Sequence, residues 1–203
     1  MIIRTMTRWH QLMIAMFSVV MFLSGGIGAS HADPITEAEN WFNQITTMKA
    51  RFIQVSDDGT YAEGDFLLRR PFRSRFDYDE PIKTVLITTK IWLHVDDPER
   101  QTVTSYPISE TPFKILFDEK VRLSYDGIIT TAASQDGIVV VRMEKRTGSD
   151  AGILELEFTE KPFVLRRWTI TDSAGITTKV TFQNIEMGVT LPANLFVPSN
   201  YQN

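Results

Sequence analysis

The chain has 203 residues, a formal net charge of −4, 43% hydrophobic residues and no cysteine. That is globular composition, and it excludes a disordered chain and a multipass membrane protein. The missing cysteine excludes a disulfide, a thiol nucleophile, a thiolate-bound metal and a lipid-modified cysteine.

Residues 1–32 have the three parts of a secretory signal peptide. Arg4 and Arg8 form the basic start, an apolar run covers 12–23, and Ser30 and Ala32 are the small residues before a cut at Asp33. The apolar run is short for a membrane span. Cleavage after Ala32 gives an exported, periplasmic protein with one domain, 33–203. It also removes His10 and His31 and leaves His94 as the last histidine, so zinc sites built on histidine clusters are excluded. The acidic balance argues against a nucleic-acid partner.

Thr36 and Glu39 read as a capping box, and Ala38, Trp41, Phe42, Ile45 and Met48 follow at helical spacing. An amphipathic helix of about three turns is predicted there. From Lys49 the period changes to two, and alternating runs bounded by turn residues continue nearly to the end. Strands are predicted at 51–55, 61–70, 73–78, 82–88, 91–95, 101–106, 128–133, 138–145, 153–158, 165–171 and 176–185. Asp136-Gly137 fits a two-residue hairpin turn, and Ser173-Ala174-Gly175 a longer one. One interruption stands out: Thr111-Pro112 offers a cap and an N1 proline, with Phe113, Leu116 and Phe117 at i, i+3 and i+4. A short amphipathic helix is predicted there. About eleven consecutive strands without crossover helices predict a mainly β protein, an antiparallel meander that curls, with its helices covering the concave side.

Catalytic groups are few. The sequence has no nucleophile elbow, phosphate loop or zinc-protease motif. His94 is out of phase with Ile91, Leu93 and Val95, which predicts a solvent-facing strand histidine. Asp77, Asp79 and Glu80 sit at a strand end without calcium-loop spacing and read as solvated charges. Arg166-Arg167 reads as a surface pair. No cofactor or metal is expected, and an esterase is disfavoured by the missing nucleophile–base pair. The run 61–70 carries Phe66, Leu68 and Arg70 on one face. Spacing leaves Arg70 two readings: an inward arginine that must find partners, or one that snorkels to water beyond Pro71.

Gly64-Asp65-Phe66-Leu67-Leu68-Arg69-Arg70-Pro71, followed by Arg75-Phe76-Asp77-Tyr78 and Pro81, resembles the signature of the LolA family, periplasmic carriers of outer-membrane lipoproteins. The resemblance extends to Ile91-Trp92-Leu93, to Thr111-Pro112-Phe113 with Ile115-Leu116, and to Trp168, Asp172 and Gly175. It implies an unclosed, strongly curved antiparallel β-barrel with a helical lid over a hydrophobic cavity that takes acyl chains. Trp41, Phe66, Leu68, Phe76, Tyr78, Phe113, Leu116 and Phe117 are assigned to that cavity. Arg70 matches the family arginine that locks the lid, with Arg69 on the opposite face. The partners implied are triacylated lipoproteins, an inner-membrane Lol ABC transporter and an outer-membrane acceptor, served by a monomeric carrier. The alternative is a lipid- or lipoprotein-sensing module on the same fold. Ser74 stands where many relatives have an aromatic, and the chain ends soon after Phe196-Val197-Pro198.

Overall fold

The computed structural model describes residues 33–201; the expected signal peptide and its cleavage site lie outside them. Helix α1 (Pro34–Gln44) begins earlier than the capping box implies. Asp33 is the cap: its carboxylate accepts from Thr36 N and Oγ1, both at 3.2 Å. Pro34 explains the difference, because its fixed φ suits the first helical position and its missing N–H is not needed there.

Eleven strands follow: β1 (Thr47–Ser56), β2 (Tyr61–Arg69), β3 (Arg73–Tyr78), β4 (Val85–Thr88), β5 (Trp92–Asp97), β6 (Thr102–Pro107), β7 (Ile129–Gln135), β8 (Ile138–Lys145), β9 (Gly152–Thr159), β10 (Val164–Thr171) and β11 (Thr177–Met187). All pair antiparallel in one curved, unclosed sheet of order β6-β5-β4-β3-β2-β1-β11-β10-β9-β8-β7. The first strand starts at Thr47, not 51, and the fourth is cut to four residues by the turn after Pro81. The Asp136-Gly137 turn is as expected, both residues at positive φ (52° and 77°) and Gln135 facing Ile138.

Alternation fills one face of the sheet. Phe66 lies opposite Phe76 and Ala50, Phe52 opposite Phe182, and Trp168 between Val180 and Leu156. With Ala38 and Phe42 of α1 and Leu116, Phe117, Val121 and Leu123 of the β6–β7 connection, these form one continuous core. Gly64 is required at its position: a Cβ would run into the Asp77 carbonyl and the Phe52 ring.

The connection, residues 108–128, joins the two sheet edges. Its predicted helix is a single 3-10 turn, Lys114–Phe117. Thr111 does not cap it; its hydroxyl donates to Ile108 O at 2.7 Å. An α-helix would need the following carbonyls for its own ladder, but those of Leu116, Phe117 and Asp118 accept from Arg70 and Phe72 in the β2–β3 turn.

The opposite face of the sheet is less polar than the alternation of 61–70 suggested. Leu67, Ile87 and Phe196 form a second buried cluster with Val85, Leu191 and Leu195, under the C-terminal segment. Arg69 therefore is not simply solvated: it donates to Leu191 O at 3.2 Å. His94 is half-buried rather than solvent-facing, its Nδ1 2.8 Å from Ser105 Oγ. Asp77 and Asp79 are ion-paired, with Arg75 and Arg51 respectively, and Arg167 pairs with Glu157.

Candidate functional site

Arg70 follows β2 directly, and its guanidinium points to the connecting segment. Nη1 donates to Leu116 O at 3.0 Å, and Nη2 to Asp118 O at 2.7 Å and Glu119 O at 3.2 Å. Asn43 Oδ1 lies at the edge of reach, 3.5 Å. Three backbone carbonyls thus converge on one rigid fork of donors. Burial pulls the Arg70 pKa down, with the Asp118 charge opposing; an arginine nevertheless keeps its proton. Of the two readings left open by spacing, the inward one describes this geometry.

Four more attachments hold the same segment. The Phe72 N–H donates to Phe117 O at 2.7 Å, from a residue at φ 70°, a left-handed conformation costly for a bulky side chain. Asn43, near the end of α1, donates Nδ2 to Val121 O and accepts from Val121 N, both at 2.9 Å. Glu39 accepts from Leu123 N at 2.7 Å; the capping-box carboxylate is spent here. Thr130 donates to Leu123 O. The cover is therefore fastened through hydrogen bonds at its rim, while Leu116 and Phe117 are buried beneath it. Sequence reasoning missed Asn43 and Glu39 as fasteners, because their partners lie 78 and 84 residues away.

Below the cover the structure brings most of the expected cavity residues together. Phe66 meets Phe76 with ring centroids 4.5 Å apart, and both approach Trp168 at about 6 Å. Phe117 reaches the same Trp168 at 6.4 Å and Phe113 at 6.0 Å. Tyr78 joins through Phe52 at 5.1 Å, and Leu68 and Leu116 belong to the same core. Trp41 sits in a different group of rings, against Phe42 and Phe158. Phe66, Leu68, Leu116 and Phe117 are each no more than 2% exposed. Phe52, Trp168 and Phe182 are equally central and were outside the expected set, although each lies on the inward phase of its strand.

Polar groups on this face are mostly matched. Tyr78 donates to Gln54 Oε1 at 2.7 Å, and burial, opposed by that bond, pushes its pKa up to about 12. Ser74 and Thr88 share a hydrogen bond of 2.8 Å between their hydroxyls, and Thr88 also donates to Phe72 O. This accounts for a small residue at 74.

At one seam a small pocket of about 30 Å³ opens between the cover and the β8–β9 end. Ile115, Ile128, Met143 and Leu154 line it, and Lys145 and Asp150, ion-paired at 2.5 Å, stand beside them. It has room for a water or two and none for an acyl chain. A larger groove of about 630 Å³, lined by Phe72, Arg73, Lys90 and Phe196 among others, lies by the C-terminal segment, away from the expected cavity residues.

Residues 43–199 match the family model described as outer membrane lipoprotein carrier protein LolA. An outer-membrane lipoprotein carrier protein of Methylibium petroleiphilum is 27% identical over 180 residues, covering 83% of this chain and 86% of that protein. One from Coxiella burnetii is 23% identical over 197 residues, 92% of each. A crystal structure of an uncharacterized conserved protein from Thermus thermophilus shares the fold, with a TM-score of 0.50 at 10% identity over 83% of this chain and 94% of that one. By the match over most of its length, the chain belongs to the LolA family of outer membrane lipoprotein carrier proteins.

Proposed function

We propose that the protein is a periplasmic carrier that takes lipoprotein acyl chains into the space between the inner face of its sheet and the 114–123 cover, and moves lipoproteins from the inner to the outer membrane. The observation that carries this reading is the construction of the cover. It lies on aromatic and aliphatic side chains but is fastened by rim hydrogen bonds in which Arg70, Phe72 and Asn43 donate and Glu39 accepts. Such bonds exchange with water at modest net cost, roughly 0.5–1.5 kcal/mol each and about 1.5–3 where the donor is charged. The apolar interior then becomes available to chains whose burial returns about 25 cal/mol per Å².

Arg70 is the lock in this scheme. Cargo must break its bonds to enter, so apparent affinity is reduced by the fraction of molecules that are open. A carrier that must also give up its cargo needs such a bias. Handover involves an inner-membrane ABC transporter as donor and an outer-membrane acceptor, and the carrier works as a monomer without catalysis.

The test is native mass spectrometry of the protein purified from its own periplasm. A co-purifying lipoprotein is expected. A stoichiometric free lipid, with no lipoprotein, would replace the carrier by a lipid-sensing module.

A further inference from the structure

Trp168, in the middle of β10, is 3% exposed and sits at the centre of the inner aromatic group. Its indole Nε1 is the one buried side-chain polar atom without a hydrogen-bond partner among the described residues. Its neighbours are rings: Phe182 at 4.7 Å, Phe66 at 5.9 Å, Phe76 at 6.0 Å and Phe117 at 6.4 Å. Aromatic faces accept an N–H only weakly. Elsewhere on this face Tyr78 is matched by Gln54 and Ser74 by Thr88. An orphaned donor in a protein that otherwise pairs its inward polar groups calls for an explanation, because apolar side chains could pack this core without stranding an N–H.

We infer that the Trp168 N–H is a ligand-binding donor, kept for the carbonyl oxygen of an ester-linked acyl chain that enters beneath the cover. The inference rests on the acyl-chain reading above and adds a chemical class to it. Indole is a donor only, so it selects an acceptor and offers nothing to a hydroxyl hydrogen or an ammonium. The surroundings are apolar, so the acceptor must belong to an uncharged group that arrives with hydrocarbon attached. An ester carbonyl meets both conditions, and an ether oxygen is a poorer acceptor. Trp168 also touches Phe117 of the cover, which places it next to the part that must move for entry. In the closed state the site is satisfied only by ring faces; occupancy supplies the missing partner. The N–H thus favours the loaded state while Arg70 favours the empty one.

The experiment compares wild type and Trp168→Phe for displacement of a fluorescent fatty-acid probe by two lipids. One is a glycerol carrying two palmitoyl ester chains, the other its dihexadecyl ether analogue. Wild type is expected to prefer the ester about tenfold, equivalent to about 1.4 kcal/mol. Trp168→Phe is expected to bind both lipids alike, the ester preference being lost. Equal binding of ester and ether by wild type, or an ester preference surviving in Trp168→Phe, overturns the proposal while leaving the carrier reading intact. If neither lipid binds wild type, the acyl-chain reading fails and this inference with it. Should Trp168→Phe not fold by circular dichroism, benzothienylalanine at 168, which keeps the fused ring and lacks the N–H, carries the same comparison.

Discussion

Arg70 and Arg69 are adjacent, and their side chains hold different parts of the molecule. Arg70 reaches Leu116, Asp118 and Glu119 on the cover; Arg69 reaches Leu191 on the C-terminal segment. Replacing Arg70 by leucine is expected to raise affinity for a lipid probe by about tenfold to a hundredfold, at 1.4 kcal/mol per decade, and to impair delivery of lipoprotein to the outer membrane. Unchanged or weaker probe binding would end the lock hypothesis. Arg69→Leu cannot serve as a silent control, since it removes a bond to the C-terminal segment; exposed Arg166 is the better site. A second expectation concerns Gly64. The close approach of Asp77 and Phe52 leaves no room for a methyl group, so Gly64→Ala is expected to cost about 1–3 kcal/mol, read as a lower urea midpoint at constant m. The inward position of Phe66 and Leu68 was legible from alternation. Arg70's partners were not, because they are backbone carbonyls on a segment more than forty residues away.

At the level of elements, the cover is the part whose local sequence preference and final form differ most. Proline at 112 and the spacing of Phe113, Leu116 and Phe117 favour a helix, yet only one 3-10 turn forms. Tertiary donors take the carbonyls that a longer helix would use. Helix α1 fits its pattern better, and its contribution to the cover comes from its last turns. Asn43 satisfies both backbone groups of Val121. Asn43→Ala leaves them unpaired at a half-buried rim, so the cover should open locally more often. Hydrogen exchange is the measure: faster exchange at Val121 and Leu123 is expected, with β1, β2 and β11 amides unchanged. Uniform acceleration across the sheet would show that Asn43 supports the whole fold instead. The strands were the most legible elements, and even their ends shifted, since pairing with a neighbour and not local propensity decides where a strand stops.

For the whole molecule, the sheet is covered on both faces, by α1 and the 108–128 connection on one and by the C-terminal segment on the other. The second cover is pinned at Asp96, 3% exposed, which accepts from Ser199 N at 2.8 Å and Tyr201 OH at 2.6 Å. Burial works to raise its pKa, but those hydrogen bonds and the Arg75 charge outweigh it and hold the carboxyl below its ordinary value. A depressed folded pKa gives stability that is present above the unfolded value, about 3.9, and lost as pH falls through the lower folded one. The C-terminal segment should therefore stay attached from neutral pH down to about 4 and loosen below that. Exchange at the Ser199 amide, followed against pH, checks this. In Asp96→Asn the attachment should be weakened at neutral pH to about the level wild type reaches in acid, with the acid step removed; a step that persists points to another carboxylate.

The order of elements, the antiparallel meander, the inward faces of the strands and the turn at Asp136-Gly137 were determined by the sequence itself. Those features depend on period, turn chemistry and burial, all local properties of a chain. The tertiary structure alone decided that Glu39 and Asn43 fasten the cover, that Arg69 and Asp96 hold the C-terminal segment, and that Trp168 Nε1 has no partner. The bonds among these join groups 78 to 122 residues apart in sequence. A hydrogen bond needs a partner within about 3 Å at the right angle, and no periodicity carries that information.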